Sequence, residues 1–427
     1  MIRLIYSVVF YLAVPLLLLR LLYRSLKAPA YGRRWAERFS FIDLPKDFKR
    51  TEKSIWVHAV SVGETQAAVP LIKNLLRNYP DKSIVVTTMT PTGSERVRVL
   101  FGDSVFHTYI PYDLPGAMGR FIHKINPGVL IIMETELWPN VLHQCHKAGV
   151  RTILANARMS EKSANGYRRI SSITRKMLGE IDCIAAQAEA DSIRFVELGA
   201  DKEKVSVTGS LKFEIEPPDI KIDNLPNIFR QIKQSNRPVL IAASTREGEE
   251  KKIIAAFRQC LEQEPTLLLE LVPRHPERFN AVARLCDEHH LELVRRSSEA
   301  PVTAQTQVLL GDSMGEMWFY FSVADIAFVG GSLVNTGCQN VLEPAALGIP
   351  VLVGPSQFNF ETICNQLREA GALVTVENEQ DLAGQVLQLL GDPRQRSAMG
   401  TAGKGIVESN KGSLGRLTSV IEQQLGY

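Results

Sequence analysis

The sequence contains no Cys-x-x-Cys pair. Its six cysteines (Cys145, Cys183, Cys260, Cys286, Cys338 and Cys364) are scattered, which excludes a disulfide scaffold and a multi-cysteine zinc site and suits a reducing compartment. No G-x-x-x-x-G-K-[ST] loop is present, which disfavours a P-loop kinase or ATPase. No G-x-G-x-x-G follows the first expected strand, which disfavours a nicotinamide enzyme. Charge of one sign is not in excess either. The 49 Lys and Arg against 46 Asp and Glu leave a net +3 on 427 residues, which argues against a nucleic-acid partner, since such a protein carries a basic stripe. Hydrophobic residues at 45% and charged residues at 22% leave no room for long disorder. The length allows two or three domains, each with its own core.

One long apolar run stands out. Leu4 to Leu19 carries no charge, and the run continues past Arg20 to Tyr23. With Arg20 snorkelling, Ile2 to Tyr23 is long enough to cross a bilayer. Pro15 kinks such a helix without forbidding it. Only Arg3 precedes the run, whereas Arg20, Arg24, Lys27, Arg33, Arg34 and Arg38 follow it against the single acid Glu37. That bias places the body of the protein in the cytoplasm. A retained anchor is expected over residues 1–26. A cleaved signal peptide would carry its charge on the other flank and needs a small-x-small site that does not follow here. The remaining alternative is a helix lying in the interface or docked on the protein. The basic collar attracts anionic headgroups in general, or forms a site for a phosphorylated lipid.

Beyond residue 50, β-branched runs alternate with helical spacing. Strands are expected at Ile55–Val60, Ile84–Thr88, Val129–Met133, Arg151–Ala155 and Cys183–Ala186, then at Pro238–Ala243, Thr266–Val272, Val308–Leu310, Ile326–Val329 and Pro350–Val353. Continuous apolar strands separated by helices imply parallel sheets covered on both faces. The polar, Pro-containing stretch Glu214 to Pro226 reads as a linker. The fold class is α/β, with two doubly wound domains and a ligand cleft at the carboxyl ends of their strands. Glycosyltransferases, sugar epimerases and binding proteins share that architecture.

The loops at strand ends are where chemistry belongs. Ser61-Val-Gly-Glu64 opens a helix, so Glu64 is either a general base or part of an ordinary capping arrangement. Glu134 and Glu136 in Met133-Glu-Thr-Glu-Leu-Trp-Pro-Asn140 follow an apolar strand, where a carboxylate needs a partner or a task. Arg274 in Val272-Pro-Arg-His-Pro-Glu-Arg-Phe279 can grip a phosphate at a helix start, or sit in an ion pair. Gly311 to Glu316, Gly330-Gly-Ser332 and Asn340-Val-Leu-Glu-Pro-Ala345 follow the same strand–turn–helix grammar, and together they point to a nucleotide pocket. His143-Gln-Cys-His146 reads as a helix face, not a metal site.

These stretches resemble the Kdo (3-deoxy-D-manno-octulosonic acid) transferases, glycosyltransferase family 30. Further matching stretches are Lys27-Ala-Pro-Ala-Tyr31, Thr87 to Arg96, Asn156-Ala-Arg158 and Thr208-Gly-Ser-Leu-Lys-Phe213. The resemblance covers nearly the whole chain. It implies a GT-B fold of two Rossmann-like domains facing a central cleft, behind an N-terminal membrane-anchor helix: residues 27–215 binding the acceptor, 216–234 a linker, and 235–427 binding CMP-Kdo. It implies an inverting transfer of Kdo from CMP-Kdo to the lipid A precursor, lipid IVA, at the cytoplasmic face of the inner membrane. Carried over by motif, Glu64 is the general base and Glu134 the second acid. The CMP contacts fall on Pro273, Arg274, Met314, Gly315, Glu316, Asn340, Val341, Leu342 and Glu343. Arg33, Arg34, Glu37 and Arg38 are candidates for the acceptor side. No cofactor, no protein-bound metal and no nucleic acid is implied; the partners are the donor, the lipid acceptor and membrane lipids. Two departures are visible: Ala36-Glu-Arg38 stands where the family has Gly-Glu-Arg, and Cys338-Gln-Asn340 where it has Gly-His-Asn. The alternatives are another GT-B nucleotide-sugar transferase or epimerase, or a membrane-tethered binding protein without catalysis.

Overall fold

Apolar strands buried on both faces dictate the architecture of each half. The computed structural model describes residues 2–49 and 51–425. Its first sheet comprises β1 (Ser54–His58), β2 (Ile84–Thr88), β3 (Phe106–Tyr109), β4 (Pro127–Met133), β5 (Arg151–Ala157), β6 (Cys183–Ala186) and β7 (Val205–Val207), in the order β3-β2-β1-β4-β5-β6-β7. The second comprises β8 (Val239–Thr245), β9 (Leu268–Pro273), β10 (Leu293–Arg295), β11 (Val308–Leu310), β12 (Ile326–Val329), β13 (Val351–Val353) and β14 (Leu373–Thr375), in the order β10-β11-β9-β8-β12-β13-β14. Strand pairings in both sheets are parallel. In β1, Trp56 packs on one face with Met118 and Phe121, while Ile55 and Val57 pack on the other with Leu71 and Ile72. That alternation is the period-two geometry of a strand covered by helices on both sides.

Strand order reverses beside β1 and β4 in the first sheet, and beside β8 and β12 in the second. In open α/β sheets, the crevice at the carboxyl ends of such strands is where ligands bind. The α/β, doubly wound expectation is met.

The domain boundaries differ from the expected ones. The chain divides into a first unit reaching to Glu214 and resuming at Lys411, and a second unit of Ile215–Asn410. The last helix, Ser413–Leu425, belongs to the first unit, because Leu417 and Ile421 are buried on its sheet beside Leu71 and Leu75. Its start is fastened to the first unit: the Ser413 hydroxyl donates to Ser210 O at 3.1 Å and to Glu214 Oε1 at 2.7 Å, and Glu214 Oε1 also accepts the Leu414 N–H at 3.0 Å. Residues 216–234 are not a free linker either: helix Asn227–Ser235 buries Ile228, Phe229 and Ile232 in the second unit's core.

At the N-terminus, Ile2–Leu26 lies within a single helix long and apolar enough to cross a membrane. Met1 and the Lys27 side chain lie outside the described residues.

Candidate active site

In the first unit, the chain leaves β1 and turns at Ser61, which caps helix Val62–Asn78. The Ser61 hydroxyl accepts the Glu64 N–H at 3.3 Å and lies 2.7 Å from Glu64 Oε1, while the Val60 N–H donates to Oε2 at 2.8 Å. The capping arrangement is therefore present, and it locks the carboxyl in place. Glu64 as a whole is only 8% exposed. Burial pushes its pKa up to about 7; Glu136 and Glu134 add to the rise, while the bonds from Ser61 and Val60 oppose it. A carboxyl titrating near neutrality can accept a proton from an alcohol at physiological pH.

Glu134 follows β4, the neighbour of β1. Its backbone is left-handed, with φ 58°, a conformation costly for a residue with a side chain and common at functional sites. Its Oε1 lies 3.8 Å from Lys212 Nζ. Lys212 is held there because Asn156, itself left-handed at φ 52°, accepts the Leu211 N–H at 2.9 Å. Glu136 takes the Trp138 indole N–H at 3.0 Å, and burial raises its pKa. Trp138 meets the buried His58 ring edge-on at 5.5 Å. Desolvation pushes His58 down to about 4 and keeps it neutral. The result is three acids and one lysine gathered at the order reversal of the sheet.

The acceptor-side candidates separate. Arg33 is exposed. Arg34 binds Glu37 at 2.5 Å and Ser94 Oγ at 2.8 Å, and Glu37 also accepts from the Thr108 hydroxyl and the Tyr109 N–H, each at 2.9 Å. Arg38 is buried, with its guanidinium 4.4 Å above the Tyr109 ring and bonded to Met89 O at 3.0 Å. This corrects the expectation for Arg38, which pins the turn Trp35–Phe39 onto the first unit from inside and presents no open face.

In the second unit, the expected nucleotide residues share one sheet edge. Pro273 ends β9, and the Arg274 N–H bonds Thr245 O at 3.1 Å. Met314 and Gly315 are exposed on the turn after β11, with Gly315 at φ 83°. Glu316 binds Arg296 at 2.8 Å. Asn340 accepts the Leu342 N–H at 3.0 Å. Burial raises the Glu343 pKa, whereas a hydrogen bond from Asn340 and the charge of Arg274 oppose that rise. Glu343 is thus bonded to Asn340 and within the field of Arg274. Pro273, Val341 and Leu342 are buried, so each can offer a ligand only its backbone.

Sequence reading missed the first loop of this unit. Ser244 is left-handed at φ 58°, and Arg246 pairs with His275. The nearby charge of Arg274 helps depress the Arg246 pKa, after burial, so two guanidinium groups converge on the same strand ends. A phosphate would neutralise such a pair. Glu249, fully buried, accepts four backbone N–H groups: Arg246 at 3.1 Å, Gly331 at 2.7 Å, Ser332 at 3.0 Å and Leu333 at 2.8 Å. A side chain on Gly330 would strike Ser244 O at 2.7 Å, which is why glycine stands there. The available signal was Gly248-Glu249, which repeats Gly63-Glu64 at the same place in the other sheet. His143 is a structural residue, bonded to Glu180 at 2.9 Å.

A family model described as "3-Deoxy-D-manno-octulosonic-acid transferase (kdotransferase)" matches residues 33–215, and one for glycosyl transferases group 1 matches residues 236–405. The chain is 42% identical to the 3-deoxy-D-manno-octulosonic acid transferase of Haemophilus influenzae, covering 99% of both chains. This chain belongs to the Kdo transferase family. A second Kdo transferase, from Bordetella pertussis, is 36% identical over 87% of each chain. The fold also matches a UDP-GlcNAc 2-epimerase from Neisseria meningitidis with a TM-score of 0.58, at 14% identity, over 88% of this chain and 99% of that one. The expectation of a GT-B-type glycosyltransferase of the Kdo family therefore holds.

Proposed function

We propose that this Kdo transferase moves Kdo from CMP-Kdo to the lipid A precursor lipid IVA, with inversion, at the cytoplasmic face of the inner membrane. The observation that carries the chemical reading is the Glu64 carboxyl, locked by Ser61 and Val60 at the end of β1 with a pKa near 7. In the proposed step, an acceptor hydroxyl oxygen attacks the glycosidic carbon of Kdo while its proton passes to Glu64. The bond from that carbon to the CMP phosphate oxygen breaks, and CMP leaves with the electron pair. Charge builds on the sugar as in other glycosyl transfers, and Glu134 is suited to stabilise it. Arg274 takes the departing phosphate, and the neighbouring Arg246 guanidinium adds its charge. Gly315, Glu316, Asn340 and Glu343, with the exposed Met314 and the backbone of Pro273, Val341 and Leu342, hold the cytidylate. Arg33 is the acceptor-side cation left open to solvent.

The test is mass spectrometry of the lipid after incubation with CMP-Kdo and lipid IVA. A mass gain of one or more Kdo units with wild type, and its near loss with Glu64→Gln, is expected. An unmodified lipid with wild type would overturn the reading.

A further inference from the structure

The N-terminal helix Ile2–Lys27 divides lengthwise into two stripes. One stripe is tied to the first unit. The Arg3 guanidinium donates to Asn140 Oδ1 at 3.1 Å, the Ser7 hydroxyl reaches the same oxygen at 3.2 Å, and Tyr6 bonds the buried Asp113. Further along, the Phe10 ring lies tilted against Tyr112 with centroids 6.3 Å apart, and Val14, Leu17 and Leu21 pack with Tyr112, Leu114 and Ala117. These positions recur at three- and four-residue intervals, which is one face of a helix. On the opposite stripe, Ile5, Val8, Leu12, Leu16, Leu19 and Leu26 are 51% to 78% exposed.

Helix length alone, about 39 Å at 1.5 Å per residue, would allow a crossing. The attachment forbids it. Asp113 is anchored in the first unit by the Asn140 N–H at 3.0 Å and the Val141 N–H at 2.8 Å. A spanning helix would place Arg3 roughly 30 Å from Leu21 across the hydrocarbon. Because both ends are bonded to the same unit, crossing would either tear these contacts or drag Asp113 and Asn140 into lipid, where polar groups are costly. The surroundings of the exposed stripe also match a charged surface. Arg20, Arg24, Arg33 and Arg120 are exposed near it, with Arg24 over Tyr31 at 4.1 Å and Arg120 over the exposed Phe41 at 5.5 Å. An apolar stripe bordered by arginines complements anionic headgroups above acyl chains.

We infer that residues 2–26 lie in the plane of an anionic membrane surface, with the exposed stripe sunk into the lipid and the other stripe docked on the first unit. The unit then rests on the bilayer and does not hang from a spanning anchor. This rests on the membrane location proposed above.

The test uses full-length protein on vesicles of phosphatidylethanolamine and phosphatidylglycerol, with an environment-sensitive fluorophore on Leu4→Cys, Leu12→Cys or Leu26→Cys. All six native cysteines are buried and do not compete for the label. Lipids carrying a quencher near the headgroup or at the bilayer centre then report depth. An in-plane helix gives the three positions similar quenching, strongest from the shallow quencher. Strong central quenching confined to Leu12, with Leu4 and Leu26 quenched only from the surface, would overturn the inference. So would the absence of quenching at all three. Kdo transfer to acceptor in detergent micelles, measured on the same preparations, tests the catalytic reading separately.

Discussion

The Ser61 hydroxyl sits 2.7 Å from Glu64 Oε1, and the Glu64 N–H returns to the same hydroxyl at 3.3 Å. The residue proposed as base therefore also closes the first turn of its own helix. Its carboxyl cannot swing away without uncapping that turn, so position and protonation are set together.

A pH dependence follows from this. Burial raises the Glu64 pKa to about 7, so the group is protonated and inert as a base below that value and ionised above it. kcat/KM should fall on the acid side with a midpoint near pH 7. Glu64→Gln should lower turnover by about 10²–10⁴ and abolish that limb. Its amide oxygen can still accept from Val60, so the circular dichroism spectrum should be unchanged. A variant with the wild-type acid limb would remove Glu64 as the base.

Arg274 stands at the end of β9, where its charge acts on both Glu343 and Arg246. Losing one charge-assisted hydrogen bond costs about 1.5–3 kcal/mol. Arg274→Ala should thus weaken CMP binding by roughly 10- to 100-fold, read by calorimetric titration. Unchanged affinity would place the phosphate elsewhere.

Glu249 holds the turn after β12 through the N–H groups of Gly331, Ser332 and Leu333. Glu249→Ala leaves these donors buried without an acceptor, at about 1–3 kcal/mol for each group not rescued by water. The thermal transition should drop sharply, with Glu249→Gln in between because it keeps one acceptor oxygen. A melting curve unchanged in the alanine variant would show that the turn stands without it.

What the sequence concealed has a common physical cause. The ten strands expected from apolar runs all form. The four that were missed, β3, β7, β10 and β14, are the edge strands of the two sheets. Phe106-His-Thr-Tyr109, Val205-Ser-Val207, Leu293-Val-Arg295 and Leu373-Val-Thr375 are short and mixed in polarity, because an edge is covered on fewer sides and needs no continuous apolar run. Glu64 and Glu134 were legible because strand–loop–helix punctuation marks them. Glu249 and Arg246 were not, since apart from the local Arg246 N–H bond to Glu249 their partners lie 29 to 84 residues away in the chain. The return of Ser413–Leu425 to the first unit depends on Leu417 and Ile421 meeting a sheet whose strands all lie more than 200 residues earlier in the chain, which no local pattern encodes. Burial of Arg38 was equally hidden, because Tyr109 and Tyr112 come from another segment.

Glu270 poses the opposite case, a buried acid with no task. It lies in the middle of β9 between Ile241 and Leu309 of the neighbouring strands, and neither carboxyl oxygen has a hydrogen-bond partner. Complete burial pushes its pKa well above the ordinary value, so it is held neutral in the fold. The sign of the linkage is then fixed. The unfolded chain ionises near pH 4.3, and from there upward the folded state loses stability until the folded pKa is passed, by up to about 1.4 kcal/mol per pH unit. Glu270→Met, similar in shape and without a polar group to desolvate, should raise the thermal transition at neutral pH. Its advantage should grow as pH rises above the unfolded value near 4.3, in thermal melts at fixed ionic strength. Parallel curves for the two proteins as pH rises from there would mean that the Glu270 carboxyl finds a partner in solution.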